Sequence, residues 1–351
     1  MSLQLRESIV TLFRQIVDIE SVSGNEGPLA DAVEQALRPL GHLNVVRDGD
    51  TVIARTELGR PQRVVIAGHL DTVPVAGNLP SRLVDGMVYG RGTVDMKGGI
   101  AVMAQVAALA TAPARDVTWI FYDHEEVAAT ENSLNRIAAT RPQALAGDFA
   151  VLMEPTAGRV EGGCQGTLRY QVTTQGKAAH SARSWMGSNA IHDAAEVLRR
   201  LVEYRPRSVS VEGLTYREGM NAVAITGGIA GNVIPDRCTV TVNFRFAPDR
   251  DEADALAHCR DLMAGFDIEF TDFAPGARPG LDTPAAQDFL AAVGGTPLPK
   301  FGWTDVSRFS ALGVPAVNYG PGDPLLAHAD DEACPVADLR ACREALLRWL
   351  G

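Results

Sequence analysis

The run "RVVIAGHLDTVPVAGNLP", residues 63–80, decides the architecture. Val64, Val65, Ile66 and Ala67 are consecutive apolar residues, the pattern of a short strand buried on both faces. The run stops at His69 and Asp71, two metal-capable side chains with Leu70 between them. A satisfied core histidine beside a solvated turn aspartate would account for the pair if it stood alone. Two further runs end the same way. "VTWIFYD" (117–123) leads into His124, Glu125 and Glu126, and "FAVLM" (149–153) leads into Glu154 and Pro155. Between the runs lie helical patterns, "MKGGIAVMAQVAALA" (96–110) and "NSLNRIAAT" (132–140). Strands alternating with helices predict an α/β layer with a central, mostly parallel sheet. In such a sheet the ligand crevice lies beyond the carboxyl ends of the strands, so the three polar endings are expected to converge there.

Composition bounds the remaining possibilities. The 351 residues, 46% of them hydrophobic, suffice for two domains with sizeable cores. A formal net charge of −11 repels phosphate backbones and argues against nucleic-acid binding. Cys164, Cys238, Cys259, Cys334 and Cys342 are odd in number and form no CxxC pair, which fits reduced thiols in a cytoplasm. The first twenty residues carry apolar positions at helical spacing (Leu3, Leu5, Ile9, Leu12, Phe13, Ile16) among charges. They are expected to form an amphipathic globular helix rather than a signal peptide. No apolar run is long enough for a membrane span.

From about residue 166 the pattern changes. Strand "TLRYQVTTQG", helix "SNAIHDAAEVLRRLVEY", strands "AVAITGGIAG" and "CTVTVNFRF", helix "RDEADALAHCRDLMAG" and strand "DIEFTDF" follow in order. That is β-α-β-β-α-β, the ferredoxin-like split unit. Residues 166–275 are therefore read as an inserted domain between two parts of a catalytic domain, 1–165 and 276–351. "APGARPG" (274–280) serves as the return linker.

Asp95, in the glycine-rich "GRGTVDMKGG", and His328, in "LAHADDE", join the strand-end residues as candidate ligands. Singly, each has an ordinary explanation: Asp95 a turn residue, Glu125 and Glu126 a solvated helix start, Glu154 a strand-end charge, His328 a loop histidine. His124 is left with its ordinary reading. Together, two imidazoles and four or five carboxylates cannot be packed without compensating charge. Arg91 and Lys97 are the only cations close in sequence. Two divalent ions would satisfy the charge, and nitrogen and oxygen donors without thiolate favour zinc, with cobalt or manganese as substitutes.

"GHLDTVP", "GRGTVDMKGG", "HEE", "MEPT" and "AHADDE", in that order from residue 68 to 332, resemble the di-zinc amidohydrolase and exopeptidase family of aminoacylases, deacylases and carboxypeptidases. The resemblance implies a zinc-exopeptidase-like catalytic domain with an inserted dimerisation or lid domain, and a cis peptide after Asp95. It also implies roles. His69 and Glu154 hold one zinc, Glu126 and His328 hold the other, and Asp95 bridges them. Asp71 orients the His69 imidazole, and Glu125 is the general base. His180, otherwise an exposed loop histidine, supplies an oxyanion donor, in dimeric members from the partner subunit. Within the family, "GCQGTLRY", "AHSARSW", "GGIAGNVIPD", "VNFRFAPDR", "GWTDVSRF" and "NYGPGDPLLAH" resemble the branch that removes succinate from an acylated diamino diacid. A small dicarboxylate amide is then the expected substrate and a homodimer through the inserted domain the expected assembly. Asn232 and Arg245 match positions the family uses for substrate. Arg183, Thr304, Asp305 and Arg308 are further candidates, with surface charge or helix capping as their ordinary reading. Another N-acyl amino-acid deacylase, a dipeptidase on the same scaffold, and a metal-free binding protein remain the alternatives.

Overall fold

The computed structural model describes residues 3–351. Its principal strands run, in chain order, β1 (Asn44–Asp48), β2 (Thr51–Arg55), β3 (Arg63–His69), β4 (Asp116–Tyr122), β5 (Phe149–Leu152), β6 (Gly166–Gln175), β7 (Gly219–Gly227), β8 (Arg237–Phe246), β9 (Asp267–Ala274) and β10 (Ala316–Asn318). The principal helices are α1 (Ile9–Val17), α2 (Lys97–Leu109), α3 (Ala190–Glu203), α4 (Glu252–Leu262) and α5 (Val336–Leu350).

The chain divides into two compact units. The first comprises residues 1–162, 279–298 and 308–351, the second residues 163–278 and 299–307. The second unit is cut from the chain at residues 163 and 278, with a short later stretch added to it. Residues 299–307, expected in the catalytic part, pack with the second unit. The Gln165 amide donates to the Lys300 carbonyl (3.3 Å), and Trp303 Nε1 and Ser307 Oγ both donate to the Pro275 carbonyl (3.1 and 2.7 Å).

In the first unit, β4, β3, β5 and β10 are adjacent and parallel, with β2 and β1 added antiparallel at the β4 edge. All seven residues of β4 and all four of β5 are buried, as central strands covered on both faces must be. α2 is buried around its whole circumference: twelve of its thirteen residues are buried, Lys97 and Gln105 among them, as in a helix inside the core. Two glycines let it lie that close. A Cβ on Gly68 would sit 2.6 Å from Met96 Cε, and one on Gly99 would sit 2.4 Å from the Met153 carbonyl. Both contacts place the start of α2 against the ends of β3 and β5.

The second unit carries β7, β8, β6 and β9 side by side and antiparallel, with α3 and α4 packed on one face of the sheet. This is the expected βαββαβ order. Burial alternates along β8: Cys238, Val240, Val242, Phe244 and Phe246 are buried towards the helices, while Thr239, Thr241, Asn243 and Arg245 lie on the other face.

Candidate metal centre

The parallel register brings the polar strand ends together. His69 pairs with Tyr122 across β3 and β4, so the segment 124–126 leaves β4 beside His69. Ala67 pairs with Leu152 across β3 and β5. Glu154, which is buried, follows the end of β5 two residues past that last rung, and the cluster of His69, Asp95 and Glu126 does not include it. The loop before α2 contributes Asp95, and the Asp95–Met96 peptide is cis.

His69 is buried and fixed at both ring nitrogens. Nδ1 lies 3.0 Å from the Asp71 carbonyl and 3.5 Å from Asp71 Oδ1, while Nε2 lies 3.0 Å from Asp95 Oδ1. The orienting contact of Asp71 is thus made chiefly by its main chain. Its carboxylate binds elsewhere. Oδ1 accepts the Glu125 amide (3.0 Å), and Oδ2 accepts the Glu126 amide (2.9 Å) and Ser23 Oγ (2.7 Å). Asp71 thereby joins the His69 loop to the Glu125–Glu126 loop, which is irregular, bent chain rather than a helix start.

His69, Asp95 and Glu126 present ligand atoms that all lie within 4.8 Å of one another. His328 reaches the same group from the C-terminal segment, its Nε2 2.9 Å from Glu126 Oε1 and 3.4 Å from Asp95 Oδ2. The hydrogen bonds to Asp95 and Glu126 raise the His328 pKa to about 10. Burial alone would raise the Asp95 pKa, but the bonds from His328 and His69 outweigh it and hold the carboxyl far below its usual range. Burial would likewise lower His69, yet its contacts with Asp71 and Asp95 raise it well above an ordinary imidazole. In this arrangement imidazolium protons provide the positive charge the carboxylates need. Arg91 and Lys97 do not provide it: Lys97 Nζ donates to the Ile19 carbonyl (2.6 Å), and Arg91 pairs with Glu332 (3.1 Å). A nitrogen and oxygen donor set of this kind, lacking its own permanent cation, fits a divalent metal.

The remaining candidates fall in the second unit, apart from Arg308. His180 is exposed, and the two-residue ladder of Ala179–His180 with Val233–Ile234 sets it beside Asn232, whose carbonyl accepts the Ser181 amide (2.9 Å). His180 Nδ1 accepts the Ala182 amide (3.1 Å), which leaves the proton of the neutral ring on the outward-facing Nε2. Arg245 lies on the open sheet face, and Arg183 is exposed in the turn after His180. Thr304 and Asp305 are buried. Arg308 donates to the Asn135 side chain, in the helix Ser133–Thr140, and to the Ala129 carbonyl in the loop that follows Glu126. His124 turns away from the cluster, with Nδ1 2.9 Å from Asp123 Oδ2. Sequence reasoning did not anticipate Ser23, Arg91 or Glu332 as parts of this site. The one signal for them was that Glu332 closes the motif "AHADDE".

Imidazoles and carboxylates gathered at the ends of parallel strands, on a sheet interrupted by a split βαββαβ unit, define a metallopeptidase-type hydrolase. The chain belongs to peptidase family M20/M25/M40, whose family model matches residues 65–351. It is 53% identical over 352 residues to a Mycobacterium tuberculosis protein that carries the provisional name succinyl-diaminopimelate desuccinylase DapE, covering 99% of both chains. It is 46% identical to the succinyl-diaminopimelate desuccinylase of Corynebacterium glutamicum, covering 97% of this chain and 96% of that one. Among solved structures, the Bacillus subtilis YXEP protein, described as a dinuclear metal-binding peptidase of family M20, superposes with a TM-score of 0.73. It is 15% identical, covering 97% of this chain and 96% of that one, and the likeness is one of fold.

Proposed function

We propose that this hydrolase cleaves N-succinyl-LL-2,6-diaminopimelate to succinate and LL-diaminopimelate. The observation that carries the reading is full-length identity of 46–53% to proteins bearing that name, combined with the cluster His69, Asp95, Glu126 and His328. The cluster would take two divalent cations, zinc or substituted cobalt. His69 and Glu154 would hold one, Glu126 and His328 the other, and Asp95 would be shared. When bound, such a pair lowers the pKa of a shared water and polarises the scissile carbonyl. Asp71 holds the main chain of Glu125 and Glu126 in place. Glu125 takes the proton of the attacking water and delivers it to the leaving amine. His180, with its proton on Nε2, is the donor for the developing oxyanion. Asn232, Arg245 and Arg183 are the partners for the carboxylates of the substrate; Arg suits bidentate pairing.

The active assembly in this reading is a homodimer through the second unit, in the cytoplasm. β7 is an edge strand with Val223 and Ile225 more than half exposed. α3 carries an outward stripe, Ile191, Leu198 and Val202, opposite the face it buries. Such an edge and stripe suit a second copy. Among the described residues no helix is long and apolar enough to cross a membrane.

Steady-state hydrolysis of N-succinyl-LL-diaminopimelate, N-acetylornithine and a simple dipeptide, measured side by side, tests the substrate. The succinyl compound should have the highest kcat/KM. A higher value for either competitor would replace the proposal with a deacylase or dipeptidase reading.

A further inference from the structure

The loop 90–95 and the segment 328–332 are far apart in sequence, yet one buried side chain organises both. Glu332 is 1% exposed, and each of its carboxylate oxygens accepts two N–H groups. Oε1 receives the amides of Val94 (2.7 Å) and Asp95 (3.1 Å). Oε2 receives the amide of Gly92 (2.9 Å) and Arg91 Nη1 (3.1 Å). The Glu332 carbonyl accepts the Gly90 amide at 3.1 Å. Its charge partner, Arg91, is 3% exposed and binds two further segments: Nε donates to the Pro74 carbonyl (3.0 Å) and Nη1 to the Ala329 carbonyl (3.1 Å). Pro74 lies five residues after His69, and Ala329 directly follows His328.

We infer that the buried Arg91–Glu332 pair is the positioning element of the metal centre. It fixes the main chain that carries Asp95 and ties to it the segment that carries His328. Neither side chain touches a ligand atom, so the pair acts through backbone placement. The inference rests on the metal reading proposed above. Glu332 suits this role because four donors converge on two acceptor oxygens, an arrangement a glutamine cannot reproduce. Its amide nitrogen would face two N–H groups whichever way it turned. Outer partners of this kind typically set metal affinity or activity by 10–100-fold.

The test compares wild type, Glu332→Gln, Arg91→Lys and the exposed neighbour Asp331→Asn. Cobalt(II) affinity is measured by competition with a chromophoric chelator, and the melting temperature with and without cobalt. Glu332→Gln should weaken the looser cobalt-binding step by about 10–100-fold and shrink the rise in melting temperature that cobalt brings. Arg91→Lys should fall in the same direction, and Asp331→Asn should match wild type. A pair that only braced the fold would lower the melting temperature of metal-free and metal-loaded protein equally and leave affinity unchanged; that result overturns the inference. If Glu332→Gln does not fold, Arg91→Lys decides alone, and wild-type cobalt affinity in that variant refutes the proposal. Failure of wild type itself to bind cobalt removes the metal reading and this inference with it, an outcome distinct from either variant result.

Discussion

Asp71→Asn separates the bracing role of that residue from simple burial. The side chain is fully buried, and its two oxygens accept three donors, the amides of Glu125 and Glu126 and the hydroxyl of Ser23. An asparagine keeps the shape but offers one acceptor oxygen, so at least one main-chain N–H of the Glu125–Glu126 loop faces an NH2 group. Losing a hydrogen bond to a charged acceptor costs roughly 1.5–3 kcal/mol, and leaving a buried N–H unsatisfied costs roughly 1–3 kcal/mol. The expected destabilisation is about 3–5 kcal/mol. For a unit of roughly 200 residues this lowers the melting temperature on the order of 10 °C. The charge matters as well. Burial would raise the Asp71 pKa, but its contacts with His69 and the two amides outweigh it and bring it down to about 2. A depressed carboxyl pKa contributes stability above the ordinary value near 4 and loses it as pH falls through 2. The gap between wild type and Asp71→Asn should thus be full at pH 7 and close in strong acid. Differential scanning fluorimetry of metal-free protein from pH 8 down to about pH 1.5, below the lowered Asp71 value, measures it. A variant melting within about 2 °C of wild type at pH 7, less than 1 kcal/mol of destabilisation, would refute the account of Asp71 as the brace of the loop.

Four other outcomes are expected. Chelation should abolish hydrolysis and zinc or cobalt should restore it, with protons released on rebinding because His69 and His328 carry them in the metal-free state; calorimetry in two buffers of different ionisation enthalpy detects the release. Glu125→Gln should lower kcat by about 10²–10⁴-fold with metal content intact, whereas Glu126→Gln should lower occupancy of one metal; equal effects would undo that division of roles. Mixing Glu125→Gln with His180→Ala subunits should recover activity towards half of wild type per heterodimer if His180 acts across a dimer, and flat activity despite exchange seen by native mass spectrometry would exclude it. In the second unit, burial would raise the Glu218 pKa, but its bonds from Arg207 and Arg250 lower it overall. Glu218→Gln should therefore destabilise by about 2–4 kcal/mol at pH 7 and progressively less below pH 4, as read by denaturant unfolding.

The strand ends were legible because an apolar run that stops at a histidine or carboxylate carries both signals at once, buried sheet and polar site. The second unit was legible because its six principal elements keep the βαββαβ order, although a hairpin, Ser208–Val211 with Leu214–Arg217, falls between α3 and β7. The hairpin of β1 and β2 was not, since its residues are only partly apolar and its partner, β4, lies more than sixty residues on. Residues 299–307 join the second unit through hydrogen bonds to Gln165, Pro275 and Cys164, contacts with no trace in local composition. Glu332 reads as one of three successive acids in an exposed loop, and only the fold reveals four donors aimed at it.

The first unit is assembled from three stretches of chain. Its central sheet accepts β10 next to β5, although more than 160 residues separate them, and His328 follows β10. On the ribosome, β3, β4 and β5 emerge with His69, Asp95, Glu126 and Glu154 already in place in the chain, but with one flank of β5 bare. The 163–278 segment of the second unit, being nearly continuous, can mature meanwhile. The acidic cluster therefore waits through the synthesis of an entire second body before its last imidazole and the Glu332 anchor arrive. If the cluster holds metal as proposed, capture would belong to the final moments of biosynthesis, and a nascent chain stalled short of residue 328 would carry most of the carboxylates without His328 to close them around an ion.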